Sequence, residues 1–148
     1  MSALAAAKTL LQADSTLTAL ATGGIYTPDD LGRLGLNRSN SVCAAAFAGT
    51  ALAPCIVLKN GIGAPVDGLG DDVLQKAARK QIISIWLYQD NGYATIESMM
   101  ARVYVDLQGK QLGGASACRW AYDTGELHDN DLDACTRRSD FACWNLKA

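Results

Sequence analysis

The stretch Arg79–Leu112, RKQIISIWLYQDNGYATIESMMARVYVDLQGKQL, changes its hydrophobic period halfway along. Gln81, Ile83, Ile85 and Leu87 alternate with Ile82, Ser84, Trp86 and Tyr88. That is the period of two of a strand, whose successive side chains leave opposite faces. Asp90-Asn91-Gly92 breaks the run. Beyond it, Tyr93, Ile96, Met100, Val103, Tyr104 and Leu107 recur at offsets of three and four, one apolar stripe of an α-helix. Thr95, Ser98, Arg102 and Asp106 fall on the opposite face, where water is expected. The stretch therefore predicts a strand, a tight turn and an amphipathic helix folded back on the sheet.

On the N-terminal side, Ser2 reads as an N-cap for a helix carrying Leu4, Ala7, Leu10 and Leu11. Asp14-Ser15 restarts the chain into a short helical turn that Gly23-Gly24 stops. Ile25-Tyr26 can make a short strand. Thr27-Pro28-Asp29-Asp30 combines an N-cap threonine, proline at the first helical position and acids in the first turn, and Gly32 and Gly35 keep that helix brief. Residues 37–50 lack a period and read as an irregular surface loop. Pro54–Lys59 reads as a strand buried on both faces. A second irregular loop, 60–72, holds four glycines, a proline and three aspartates, a turn-rich composition whose length suggests a task.

On the C-terminal side, Cys118–Leu127 is expected as one strand with Trp120 and Tyr122 on a face of their own. His128–Asp131 follows as a turn, and Ala134–Leu146 as the returning strand. The order α-β-β-α-β-β predicts an α+β fold over residues 1–148, a single domain with a small, mixed, mainly antiparallel sheet and helices packed on one face. The length suffices for one ordinary core.

Composition excludes more than it assigns. A formal net charge of -2 gives no bulk electrostatic pull toward nucleic acid or an anionic membrane. The alanine-rich start, interrupted by Lys8 and Gln12, reads as neither a signal peptide nor a membrane span. Five cysteines without paired spacing, beside one histidine, suit buried thiols in a reducing cytoplasm rather than zinc or disulfides. His128 with a cysteine is the one nucleophile pair available, and it lacks a nucleophile elbow. The carboxylates of Asp129, Asp131 and Asp133, and of Asp67, Asp71 and Asp72, match no calcium loop. Gly61-Ile62-Gly63 closes no phosphate loop. Arg79-Lys80 and Arg137-Arg138 near Trp120, Tyr122 and Trp144 would suit a single-strand platform only if the aromatics were exposed. With a net acidic chain, core aromatics and edge-strand charges are the expectation.

The ordered pieces LAAAKTLLQADSTLTAL, GGIY, PCIVLK, QIISIWLYQDNGYATIESMMARVYVDLQGKQL and RWAYDTGELHDNDLDACTRRSDFACWNL resemble the tail terminator, or tail completion, proteins of long-tailed bacteriophages. The resemblance spans most of the chain and rests on pattern and element order, with residues 37–50 and 60–72 less typical. It implies a structural virion protein, assembled in the host cytoplasm, that forms a homohexameric ring in the tail and neck region. Such a ring caps the major tail tube protein, meets a head-side neck or connector protein, and passes double-stranded DNA through its lumen without sequence-specific binding. It implies no enzyme, cofactor, metal or membrane. Another neck or minor tail component is the neighbouring reading, and a cytosolic Cys/His enzyme or a single-strand binder the readings from other classes. Because adjoining ring subunits need complementary charge, Arg102 and Asp106 on the helix and Arg137 and Arg138 on the last strand are the interface candidates.

Overall fold

The computed structural model describes residues 2–61, 64–65, 78–114 and 117–146. Ser2 caps α1 (Ala3–Ala13) by accepting from the Ala5 amide, and Asp14 caps α2 (Ser15–Leu20) by accepting from the amides of Thr16 and Leu17. The chain then enters β1 (Ile25–Tyr26) and a one-turn helix α3 (Pro28–Leu31). Thr27 is the N-cap and proline stands in the first turn, as the sequence predicts, and Thr27 and Asp30 add a reciprocal capping box. After two 3-10 turns, Gly32–Leu34 and Ser41–Phe47, come β2 (Cys55–Asn60) and the short β3 (Ala64–Pro65). The twelve-residue β4 (Ala78–Gln89), α4 (Ala94–Leu107), β5 (Arg119–Asp123), β6 (Leu127–Asp129) and the thirteen-residue β7 (Ala134–Leu146) complete the described order.

The strands form one sheet in the order β1-β2-β4-β7-β5, with β3 added beside β4 and β6 beside β7. Among the described strands only β1 and β2 run parallel, and the other pairings are antiparallel. The centre is the β4–β7 ladder, in register from Ala78 opposite Leu146 to Gln89 opposite Cys135. The α+β class and the mainly antiparallel sheet thus match the expectation.

One face of the sheet, through Ile56, Leu58, Ile83, Ile85, Leu87, Phe141 and Cys143, packs against α1, α2 and α4. The helices supply Leu4, Ala7, Leu11, Leu17, Ile96, Met99, Met100, Val103 and Leu107 to that core. A thinner layer covers the other face: Leu31, Cys43, Ala46 and Leu52 pack on Cys55, Val57, Tyr88 and Ala134. The alternation read in residues 81–88 is therefore real, but both of its phases are largely buried, each under its own layer.

Four expectations change. Residues 37–50 are not wholly a surface loop, because the Ser41–Phe47 turn buries Cys43 and Ala46. Small side chains in a 3-10 turn leave no 3.6-residue signature. The stripe of α4 is centred on Met99 and Val103, and Tyr104 is exposed. The expected strand 118–127 is two strands, broken after a bulge between Trp120 and Tyr122, and His128 and Asp129 lie in the second rather than in the turn. Finally, Trp120 and Tyr122 are not core aromatics. They are 47% and 55% exposed, because β5 is an edge strand with no layer over either face. Most of the 60–72 loop, including Ile62, Gly63 and the aspartates at 67, 71 and 72, lies outside the described residues.

Candidate functional site

The two helix candidates are joined by a residue from another element. Both oxygens of Asp14 are engaged: one accepts from the Thr16 and Leu17 amides at 2.9 and 3.3 Å, capping α2. The other accepts from Arg102 Nε at 2.9 Å and lies 2.9 Å from the second guanidinium nitrogen. Asp106, one turn along α4, is 3.9 Å from that same nitrogen. The Arg102–Asp106 part of the face expected to be wet is thus a joint between the N-terminal helices and α4, and it floors an open depression lined by Leu10, Thr16, Val105 and Lys110.

Two carboxyl groups share one guanidinium here, and their environments split them. Burial and the neighbouring Asp14, through hydrogen bonding and charge, push Asp106 up to about 6, against the pull of Arg102 and Lys110. For Asp14, burial opposes ionisation, yet hydrogen bonds from Asp106, Arg102 and the Leu17 and Thr16 amides hold it below the usual carboxylate range. Asp106 Oδ2 is buried and finds no donor. Below about pH 6 a proton held on the Asp106 carboxyl can be shared with Asp14, so the two titrate as a pair.

The strand candidates sit on opposite faces of β7. Arg137 donates from Nε and a terminal nitrogen to the Thr124 carbonyl at 3.0 and 2.9 Å and reaches Glu97 of α4 at 4.0 Å. It ties the β5–β6 connection to the helix side. Arg138 stacks over Trp86, 5.4 Å from the ring centre. Its Nε is 3.0 Å from Asp140 Oδ1, a contact ion pair whose angle is wrong for a hydrogen bond, which leaves both atoms buried without a bonded partner. The structure therefore places the four candidates in three separate intramolecular clusters and does not bring them together.

The thiols do not assemble a reactive centre. Cys43, Cys55, Cys118 and Cys143 are buried. Burial pushes Cys55 and Cys118 up to about 12, with Cys43 adding to the first and Cys143 to the second. His128 and Cys135 are cross-strand partners. The His128 ring nitrogens, however, lie 3.0 and 3.1 Å from Asn130 and Asp133 in an exposed turn, and the Cys135 thiol adjoins the Tyr93 hydroxyl. Among the described residues no group of three or more His, Cys, Asp or Glu side chains could hold a metal ion, and no helix is long and apolar enough to cross a membrane.

Sequence reasoning missed two features. Asp14-Ser15 marks the restart into a helical turn, but neither the cap role of Asp14 nor its bond to a helix 88 positions away is legible there. It also missed the exposed apolar side chains: Trp120, Tyr122 and Leu127 at the β5–β6 edge, and Leu34 and Val42 in the layer following β1. No local signal marks a strand as an edge, since pairing depends on the whole sheet order.

No family model matches the chain, and no curated protein matches it in sequence. Among solved structures of similar fold is a chain from the virion of a native gene transfer agent particle. It has a TM-score of 0.65 and 20% sequence identity, over 99% of this chain and 96% of that one. At that identity the likeness is one of fold, and it extends from one end of both chains to the other.

Proposed function

We propose that this chain is a structural subunit of a phage-like virion, a single domain over residues 1–148 that assembles into a ring in the tail and neck region. The ring, a hexamer on this reading, caps the tail tube, meets a head-side neck protein and passes double-stranded DNA without sequence-specific binding. The observation that supports it is the end-to-end fold likeness to a chain of a virion particle, together with the element order that resembles tail terminators. A lumen for sliding DNA disfavours a strongly basic wall, because phosphate contacts would hold the duplex through counterion release, and the net charge of -2 suits that requirement.

The reading assigns no catalysis to the chain. Burial works against thiolate formation at Cys55 and Cys118. A single-strand platform is disfavoured for another reason. The exposed Trp120 and Tyr122 stand in a stretch, 119–133, with five carboxylates against Arg119, and that field repels phosphate.

The test is electron microscopy of purified protein, alone and with isolated tail tubes. Rings, and caps at tube ends that stop further growth, are expected. A protein that stays monomeric and binds neither tubes nor neck proteins overturns the reading. Rings that bind neck proteins but never tubes reassign it to another neck component.

A further inference from the structure

The sheet order places β5 and β6 at one edge, and β1 with β2 and their attached 3-10 turns toward the other. The two sides differ in charge. Residues 119–133 hold Asp123, Glu126, Asp129, Asp131 and Asp133 against one cation, Arg119. Of these acids Glu126, Asp131 and Asp133 are exposed, Glu126 next to Leu127 and the two aspartates in the β6–β7 turn, on the same sheet edge as Trp120 and Tyr122. Residues 31–59 hold Arg33, Arg38 and Lys59 and no carboxylate at all. All three cations are exposed, alongside Leu34 at 57% and Val42 at 52% exposure. Of the neighbouring acids, Asp30 is already held by Lys8, and exposed Asp29 and Asp90 leave the cations in excess. Each side therefore joins apolar side chains to a net charge, and the net charges are opposite.

A patch that is not self-complementary cannot make a two-fold contact with itself, because like charges would face each other. It can make a head-to-tail contact, and repeated head-to-tail contacts close into a ring when the rotation permits. We infer that the acidic β5–β6 edge of one copy docks on the basic 31–59 surface of the next, with Trp120, Tyr122 and Leu127 meeting the region of Leu34 and Val42. The occupant of each patch is a second copy of this chain. The inference deepens the ring reading and rests on it for closure of the contact into a ring.

Several features fit that contact. Arg38 is fixed in place by the carbonyls of Phe47, Gly49 and Thr50, and Lys59 stands over Trp86, so two of the three cations are pre-positioned. On the acidic side Trp120 is held by its indole nitrogen on Asp123, which also accepts from Ser139. An apolar centre with charged surroundings is the usual composition of a specific interface, and the charges set partner choice and salt dependence more than affinity.

Charge exchange tests it. One variant carries Glu126→Lys, Asp131→Lys and Asp133→Lys, which takes residues 119–133 from net acidic to net basic; a second carries Arg33→Glu and Lys59→Glu, which makes residues 31–59 net acidic. Sedimentation velocity and microscopy at low salt, about 50 mM so that screening is weak, compare each variant with the parent and with their equimolar mixture. Each variant alone is expected to need at least tenfold more protein to associate, because both of its edges now carry one sign. The mixture is expected to recover parental association, since each copy then meets an oppositely charged edge on its neighbour. Recovery also shows that both variants are folded. Variants that associate like the parent, or a mixture no better than its components, overturn the inference while parental rings leave the ring reading standing. A parent that forms no ring, alone or on tubes, removes both.

Discussion

Asp106 is a carboxyl group that does better with its proton on. The folded protein holds it near 6, above the value of a free aspartate, so the folded state binds a proton more readily than the unfolded chain. Its contribution is therefore fully present below about pH 4 and is lost as pH rises through about 6. Asp14 has the opposite sign: its folded value is lowered, so its contribution is present above the unfolded value and is lost as pH falls. Asp106→Asn supplies a permanent amide donor where the acid proton stood. The variant should gain about 1 kcal/mol relative to the parent between pH 4.5 and 7.5, after discounting for solvent screening. Urea titrations of both proteins at the two pH values check this, and an equal difference at each pH would refute it. At this scale the sequence was partly legible. Asp14-Ser15 announced the restart into a helical turn, but the bond of Asp14 to Arg102 depends on how two helices cross, which no local pattern carries.

At the scale of elements, the turn from β4 into α4 carries its own cap in an unexpected place. Tyr93 occupies the N-cap position without a side-chain bond. Gln89, the last residue of β4, instead places Oε1 on the amides of Thr95 and Ile96 at 3.0 and 3.2 Å, and its amide nitrogen on the Asn91 carbonyl. Gln89→Ala should cost about 1 kcal/mol, the loss typical of an N-cap, read from the denaturation midpoint. Two glycines make a sharper pair. A Cβ at Gly23 would stand 2.9 Å from the Ala53 carbonyl oxygen and 3.0 Å from that of Pro54, backbone atoms that cannot swing aside. At Gly32 nothing lies within 4 Å, and only its φ of +64° opposes a side chain. Gly23→Ala should cost roughly 2 kcal/mol or more, Gly32→Ala nearer 1 kcal/mol, by the same measurement. The Arg79–Leu112 period change was read correctly, as were β2, β7 and the helix start at Thr27, because each is a local pattern. The Ser41–Phe47 turn and the split of β5 from β6 escaped, since a 3-10 run and a bulge carry no period.

For the molecule as a whole, the sheet face and its two layers decide which groups solvent can reach. Four of the five thiols are buried, and Cys135 is half-buried beside Tyr93. Thiol titration of the native protein should count at most one fast-reacting group, with all five appearing in denaturant. Two or more fast thiols in the folded protein would contradict this burial. The α+β class was legible from element order alone. The exposure of Trp120 and Tyr122 was not, because whether a strand is central or at an edge is settled by pairings across the chain. That same gap hid the two charged sides. Their residues are plain in the sequence, but their separation exists only once β4 and β7 stand between them.

The β4–β7 ladder joins residues 78–89 to residues 134–146, and β5 and β6 have no strand partner other than β7 among the described residues. Contacts so distant in sequence form slowly, because the intervening chain must first be gathered in. On the ribosome, the strand completing the middle of the sheet emerges after every other described strand. The acidic edge can therefore acquire its shape only on a chain synthesised through β7. A subunit cut short before that point would lack the docking edge itself. Unfinished chains would be excluded from the assembly without a separate proofreading step.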